Sequence, residues 1–554
     1  MSEILLGIAE RYLNHHLSLA QYVGILGTYG KSPDLSKSAV TNRVSDVHED
    51  LQVVKNMKKE YISTGSQDKM KLYELRLVES KLESELFELN DLKEYETSIF
   101  PYFETLMSIN YVYTSRSYAP LDTRIKHIVA TEKAVPQLIN QALENLEVNL
   151  PRDKLTVGLM AIGGVLPFLK DELIGFVSNS EDDKLIQEWS DVNSKAIEAI
   201  EMFVKKLETE YMPRTKPEFA IGEKKYRNLL KHQEFIDIDL RVLEKVAKEN
   251  LEANSKALQQ ILEANGENFM EEVKSDHPKS SELLDAASES TLRAKKFVVD
   301  TDLCSIPPGD DPVIQETPKA MQSFVFAQMN TADIAEDTGT GEAYYYVTPP
   351  NPNWDKERTD NYMKGWYYGS LDGTSIHEVW PGHHLHILHI KQQKSKIIRQ
   401  LGFAITTLEG WAHYTEELAF ELGYDLYDPT KFRVGQLQAA LMRNCRFVAS
   451  LAMHTGNMTM EQAQQLFEGK AKMGTDSAAM EARRGTIDPM YLNYTLGKLL
   501  IMKLREDYRK QCESQGKEFV LKEFHDEFLS YGASPIPLTR EMMLENPGTS
   551  ADYL

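Results

Sequence analysis

The segment Ile376-His377-Glu378-Val379-Trp380-Pro381-Gly382-His383-His384 concentrates residue types that suit hydrolytic chemistry. Neutral imidazoles hold a zinc ion, and a carboxylate beside one of them handles the proton of an attacking water. In the usual H-E-x-x-H arrangement both histidines lie on one helix face, but here the fourth residue after His377 is Pro381. In an unbroken helix His377 and His384 would share a face yet stand about 10.5 Å apart along the axis, at ~1.5 Å per residue. Two nitrogens each ~2.0–2.1 Å from one ion cannot come from that separation. His383 would point to another face altogether. Proline removes a helical N–H and clashes with the preceding turn, and glycine accepts backbone angles that other residues avoid. The spacing therefore predicts that Pro381-Gly382 is a two-residue insertion that interrupts the helix and returns His383 to the side of His377, with His384 as the fallback ligand. Histidines 377, 383, 384, 386 and 389 crowd one short stretch, which favours a metal site over an isolated His-Glu pair. The competing reading is a helix that starts at Pro381 and carries a polar histidine face.

A catalytic zinc takes three protein ligands and keeps one position open. Thr406 to Leu418 (TTLEGWAHYTEEL) has the pattern of a helix with Glu409, His413 and Glu416 on one face. Between His383 and Glu409 there is room for a first helix, a turn and the start of a second. Glu416 lies two turns beyond Glu409, too far to join the same ion. The pattern predicts Glu409 as the third ligand and Glu416 or His413 as a partner that orients a ligand. Glu417 is expected on a solvated face.

The runs His377-Glu378-x-x-Pro381-Gly382-His383-His384 and Glu409-Gly410-Trp411-Ala412-x-Tyr414-x-Glu416 resemble the signature of the bacterial family termed domain of unknown function 885. Arg443 to His454 (RNCRFVASLAMH), Tyr494 and Gly497 in YLNYTLGK, Arg505 in KLR, and Phe524-His525-Asp526 extend the resemblance, which is best over about residues 300–554. That family is similar in turn to helical zinc peptidases of the thimet-oligopeptidase, angiotensin-converting-enzyme and thermostable-carboxypeptidase kind. These place a glutamate ligand on the helix that follows the His-Glu helix. The resemblance implies a mainly α, large helical two-lobed peptidase-like fold with a small β-sheet lining a central cleft. It also implies a metallopeptidase that carries one zinc ion. The chain departs from the pattern at the two inserted residues, at His386 where glutamine is expected, and at Ala452-Met453 where relatives often carry an acidic residue and a glycine.

In such a hydrolase Glu378 acts as the general base. The oxyanion of the tetrahedral intermediate needs a positioned donor, for which Tyr494 and His454 are the candidates, Tyr494 by analogy with the helical peptidases. A free carboxylate on a peptide calls for an arginine fork. Arg446 and Arg484 are preferred over Arg505, although each arginine alone suits a structural ion pair as well. Tyr345, in the triplet Tyr344-Tyr345-Tyr346, either lines the cleft or packs, and His525 either approaches the site or caps helices. The expected partner is a peptide substrate. The alternatives are an amidase or other hydrolase of a non-peptide substrate, since fold and metal do not fix substrate, and a metal-free helical binding protein.

The formal net charge of −22 over 554 residues argues against a general basic surface for nucleic acid and against dependence on anionic membranes. Hydrophobic residues make up 42% of the chain, enough for a packed core. Cys304, Cys445 and Cys512 are too sparse and too far apart for a disulfide framework, which favours a reducing compartment. The N-terminal stretch MSEILLGIAERYLNHHLSLA lacks a basic region followed by an apolar run. The most apolar stretch, Leu155 to Leu169, falls short of the ~20 residues a membrane span takes. It is expected as a buried helix with a break at Gly163-Gly164 and Pro167. The default compartment is the cytoplasm.

Two regions are expected. Residues 1–290 have helical periodicity, strongest in Lys69 to Tyr95, Ser190 to Glu210 and Lys225 to Glu272, the last breaking near Asn265-Gly266. Residues 291–554 carry the catalytic motifs. Within them Phe297-Val298-Val299, Ser323-Phe324-Val325-Phe326 and Ala343-Tyr344-Tyr345-Tyr346-Val347 have the composition of strands, and helix resumes from Asp355. An exposed edge of such a sheet suits an extended peptide. The run DTGTG at 337–341 has the composition of a turn and lacks the spacing and lysine of a phosphate loop.

Overall fold

Apolar residues at three-to-four spacing recur along most of the chain, and the computed structural model of the protein answers them with helices from Ser2–His15 to Ile536–Met543. It describes residues 2–66, 68–322, 325–331, 334–335, 342–424 and 428–554. Among these the protein is mainly α-helical with one three-stranded sheet. The strands are β1 (Val313–Glu316), β2 (Ala327–Thr331) and β3 (Ala343–Val347), in the order β1-β3-β2. β1 runs parallel to β3 with Ile314 opposite Tyr345, and β2 runs antiparallel to it with Met329 opposite Tyr345.

β3 forms where its aromatic and β-branched residues predict it. Its side chains alternate between two faces. Tyr345 is buried with its hydroxyl 3.5 Å from Ser375 Oγ, whereas the Tyr344 and Tyr346 rings stack on the opposite face.

Other local expectations are corrected. Phe297-Val298-Val299 is not a strand but the end of the helix Leu283–Asp300. Leu283, Ala287, Ser290, Thr291, Ala294 and Val298 are buried along one face of it, so burial at the helical period outweighs the β preference of three residues. Of Ser323–Phe326, residues 323–324 lie outside the described residues. Phe326 stacks on Trp366 at 3.8 Å just before β2 begins. β1 was not anticipated, and the run 337–341 lies outside the described residues. The long helical stretch after Lys225 breaks at Gly266 as expected, and also between Glu234 and Leu240, where Phe235 takes a φ of +58°. The helix Arg152–Pro167 continues through Gly163-Gly164, and only Leu155, Gly158 and Ile162 of it are buried. Among the described residues no helix is long and apolar enough to cross a membrane.

Five helices carry the motifs: α1 (Tyr368–Glu378), α2 (His383–Lys391), α3 (Ile405–Glu421), α4 (Pro429–His454) and α5 (Asn493–Ser514). They share a core that includes Trp366, Trp380, Trp411 and Phe447. A second core lies within residues 29–211. A third packs Leu5, Leu51 and Leu82 against Ile397, Ile398, Leu401 and Leu538, so the first helices of the chain lie on its C-terminal part.

Candidate metal centre

The helix bearing His377 stops at Glu378, and a new one starts at His383. Between them the Trp380-Pro381 peptide is cis. Gly382 passes so close to the preceding turn that a Cβ there would lie 1.8 Å from the His377 carbonyl oxygen. No side chain fits at that position, and the Gly382 N–H donates to the Ile376 carbonyl at 3.0 Å. Buried Trp411 of α3 donates its indole N–H to the Pro381 carbonyl at 2.8 Å, which ties the turn to the next helix. The fold-back sets the His377 and His383 rings edge to face, with centroids 4.8 Å apart.

Glu409 reaches this point because α3 lies against α5 with no side chain between them. A Cβ on Gly410 would stand 2.6 Å from the Gly497 Cα, and one on Gly497 would stand 1.9 Å from the Thr406 carbonyl oxygen. Glu409 directly precedes Gly410, and Tyr494 lies three residues before Gly497, so one glycine contact delivers both side chains. Gly369 of α1 and Gly435 of α4 form a similar contact, with a Cβ on Gly435 placed 2.5 Å from the Gly369 carbonyl oxygen. Two turns further along each helix, His377 and Arg443 meet.

Glu409 Oε2 lies 3.3 Å from His377 Nε2 and 3.5 Å from His383 Nε2. Ligands ~2.0–2.1 Å from a tetrahedral zinc stand roughly 3.3–3.4 Å apart, so the spacing suits one ion. One ligand atom from each of the three residues lies within 4.8 Å of the other two, and this is the only such metal-capable group among the described residues. Glu409 Oε2 is buried and has no hydrogen-bond partner. Burial would raise the Glu409 carboxyl, but the His377 and His383 imidazoles hold it well below the usual carboxylate range.

His377 Nδ1 lies 2.7 Å from Glu416 Oε1. A carboxylate accepts, so Nδ1 donates and the Nε2 lone pair is left for the centre. Glu416, 1% exposed, also meets Arg443 at 3.2 and 3.3 Å and His413 at 3.4 Å. Burial and Arg443 push the His377 imidazolium down, but the flanking Glu409 and Glu416 carboxylates prevail and carry it up to about 9, so an ion that takes the Nε2 lone pair displaces a proton there. His413 is driven by burial down to about 3 and stays neutral.

Glu378 follows His377 on the last turn of α1. Its Oε2 accepts the Met329 main-chain N–H of β2 at 2.9 Å, and burial raises its carboxyl. Tyr494 stacks near His377, with ring centroids 6.5 Å apart, beneath the guanidinium groups of Arg443 and Arg446 at 5.6 and 5.0 Å. Burial and the Glu409 charge raise its hydroxyl.

Other sequence candidates sit elsewhere. His454 is fully buried with Nε2 bonded to the Gly485 carbonyl at 2.7 Å and its ring stacked on Tyr226. Burial lowers it to about 4. It is a neutral core side chain with Nε2 already committed, which corrects the expectation of an oxyanion donor at His454. Tyr345 is 0% exposed and packs rather than lining a cleft. Arg446 is committed in a two-point pair with Glu481 at 2.7 Å, which leaves no free fork. Arg484 pairs with Asp488 at 3.0 Å and remains partly exposed. His384 turns away from the trio, edge-on to Trp380. His386 bonds the Gly532 carbonyl, and His525 bonds the Leu303 carbonyl and the Tyr414 hydroxyl. Arg505 joins Tyr414 and Glu421. Glu417, expected in solvent, is largely buried against Arg433, Gln436 and Lys498.

Sequence reasoning missed three participants. Arg443 left one signal, its place one turn before Arg446 in the run RNCRFVASLAMH. Met329 contributes a main-chain group, which no residue type announces. Tyr22, from the helix Leu17–Val23, has its hydroxyl raised by burial, against Arg116 and with smaller contributions from the Glu378 and Glu409 charges, and it packs on the cluster that contains Ile387, one turn beyond His383. A cavity of about 330 Å³ lies on the other face of the sheet, against Tyr344, Tyr346, Phe168 and Asn110. None of the metal-capable residues lines it.

The family model described as "Bacterial protein of unknown function (DUF885)" matches residues 18–543. Two solved structures share the fold. One is a candidate lipoprotein of unknown function from Shewanella oneidensis, with a TM-score of 0.77 and 20% identity over 98% of this chain and 99% of that one. The other is a candidate lipoprotein from Colwellia psychrerythraea, with a TM-score of 0.79 and 17% identity over 98% and 97%. No curated protein matches the chain.

Proposed function

The chain belongs to the DUF885 family, and we propose that it is a zinc-dependent hydrolase of peptide bonds, acting on peptides in the manner of a carboxypeptidase or oligopeptidase. The observation that carries this reading is the convergence of Glu409 Oε2 on His377 Nε2 at 3.3 Å and His383 Nε2 at 3.5 Å, with one ligand atom of each residue within 4.8 Å of the other two. The donor set fits one zinc, because Glu416 fixes the His377 tautomer and Glu409 Oε2 has no other hydrogen-bond partner. On this reading the helical regions form two lobes of a peptidase-like fold, and the sheet lines the cleft between them.

A bound zinc ion supplies Lewis-acid polarisation of the scissile carbonyl and an acidified water. Glu378, next to His377 in sequence, takes the water proton and delivers it to the departing amine. Burial raises its carboxyl, which makes it a better proton acceptor than an exposed glutamate. Tyr494 is the donor for the developing oxyanion, because it stands against His377 and keeps its proton. Arg484 is the candidate that reads a free carboxylate.

Metal analysis of the purified chain, followed by digestion of a peptide library, tests the proposal. One equivalent of zinc with peptide cleavage is the expected result. Zinc without cleavage of any peptide would refute peptide hydrolysis, and failure to bind a metal would refute the centre.

A further inference from the structure

Glu378 is held by a strand, and that strand is held by a residue 214 positions before Asn330 in the chain. β2 is an edge strand. The Thr348 N–H donates to the Phe326 carbonyl, so Phe326 is a hydrogen-bonded position of the ladder, and Gln328 and Asn330 follow as the next two. Met329 then turns its N–H away from β3, and that N–H is the one that meets Glu378 Oε2. One such bond locates a carboxylate only as well as the strand itself is located.

Asn330, the next residue, faces the other way and is 1% exposed. Arg116, also 1% exposed, donates from Nε at 3.0 Å and Nη2 at 2.7 Å to the Asn330 side-chain oxygen, and from Nη1 at 2.6 Å to the Tyr22 carbonyl. The Asn330 amide nitrogen donates in turn to the Tyr111 carbonyl at 3.3 Å and to Ser115 Oγ at 3.4 Å. The Tyr22 ring lies over the guanidinium at 5.1 Å. Both ends of the Asn330 amide are thus used on the segment 111–116, and Arg116 ties that segment to the helix Leu17–Val23 through the Tyr22 carbonyl. A planar fork on one oxygen fixes direction as well as distance, and a buried polar network of this kind rigidifies the elements it joins.

We infer that Arg116 and Asn330 are positioning residues for Glu378, acting through the main chain of β2. The role of Glu378 rests on the hydrolase reading above, whereas the mechanical link does not. When Asn330 loses its grip, β2 shifts, the Met329 N–H leaves the carboxylate, and the base is displaced. Metal ligation is untouched, because His377, His383 and Glu409 stand on helices.

The test is single-amide hydrogen exchange on the full chain, paired with kinetics on an internally quenched peptide after zinc loading. In the parent the Met329 amide is protected, and Glu378→Ala accelerates its exchange while Gln328 and Asn330 keep theirs. Asn330→Ala accelerates exchange at Met329 and lowers kcat by about tenfold to a hundredfold, with KM and zinc content unchanged. Asn330→Asp, which still offers Arg116 an oxygen, restores both. Arg116→Lys keeps the charge without the fork and gives the same result as Asn330→Ala, so it serves if Asn330→Ala does not fold. Unaltered protection at Met329 in Asn330→Ala and Arg116→Lys overturns the inference, as does a loss confined to KM or zinc content. If the parent cleaves no peptide, the hydrolase reading fails and the exchange data alone decide the link.

Discussion

His377 is held from behind by Glu416, with Nδ1 to Oε1 at 2.7 Å, and Glu416 is itself gripped by Arg443 at 3.2 Å. This carboxylate sets the tautomer and the tilt of the ring whose other nitrogen faces Glu409. Glu416→Gln is expected to weaken zinc binding about 10- to 100-fold. It also leaves Arg443 with no carboxylate at that point, at a cost of about 3–5 kcal/mol for a broken buried pair. Competition with a chromophoric chelator reads the first effect and thermal unfolding the second. Unchanged zinc affinity would remove Glu416 from the centre.

Glu378→Gln separates binding from chemistry. The substitution keeps the size of the side chain and removes its ability to take a proton, so zinc content stays at the parent level. Peptide turnover should fall by about 10²–10⁴-fold, the usual worth of a positioned acid–base group. Turnover at the parent rate would refute the general-base role.

The glycine contact between α3 and α5 predicts opposite outcomes for two superficially equal changes. Gly497→Ala puts a methyl 1.9 Å from the Thr406 carbonyl oxygen. The helices must separate, at about 1–3 kcal/mol, and Glu409 moves with α3, so zinc affinity drops too. Gly163→Ala lies within a helix with nothing within 4 Å of the new Cβ, and is expected to stabilise by about 0.5–1 kcal/mol. Denaturation midpoints of the two variants, measured side by side, check both signs.

These contrasts show what the residues announce and what they conceal. The interruption after Glu378 was legible because Pro381-Gly382 cannot continue a helix, whereas the expected single helix and turn between His383 and Glu409 are joined by a further short helix, Lys396–Leu401. The choice between His383 and His384 depended on how far the chain rotates through the fold-back, which residue types do not specify. Met329 acts through a main-chain N–H and left no trace. His454 looked chemical in the sequence because a buried histidine bonded to a carbonyl, here that of Gly485, is indistinguishable there from a catalytic one. Phe297-Val298-Val299 has the composition of a strand yet ends a helix, because three β-branched or aromatic residues say less than the burial of a whole helical face.

Glu132 gives a pH dependence that has nothing to do with the centre. It is 0% exposed on the helix Leu121–Asn145, and burial pushes its carboxyl up to about 8. In the unfolded chain the same group titrates near the ordinary glutamate value of about 4.3. Below both values each state carries the proton, and Glu132 contributes no pH dependence. Between them the folded protein keeps a proton that the unfolded chain has released, so stability falls as pH rises, by up to about 1.4 kcal/mol per unit. Above about 8 both states are ionised and the loss is complete. Glu132→Gln removes this group's share. The variant and the parent should therefore unfold alike at pH 4.5, and the variant should gain an advantage of a few kcal/mol, order of magnitude, by pH 8.5. Glu104 and Glu234, raised by burial to about 7, keep a slope in both proteins, so the diagnostic quantity is the difference between the two curves. A difference that stays constant with pH would mean that the Glu132 carboxyl is already ionised in the native fold.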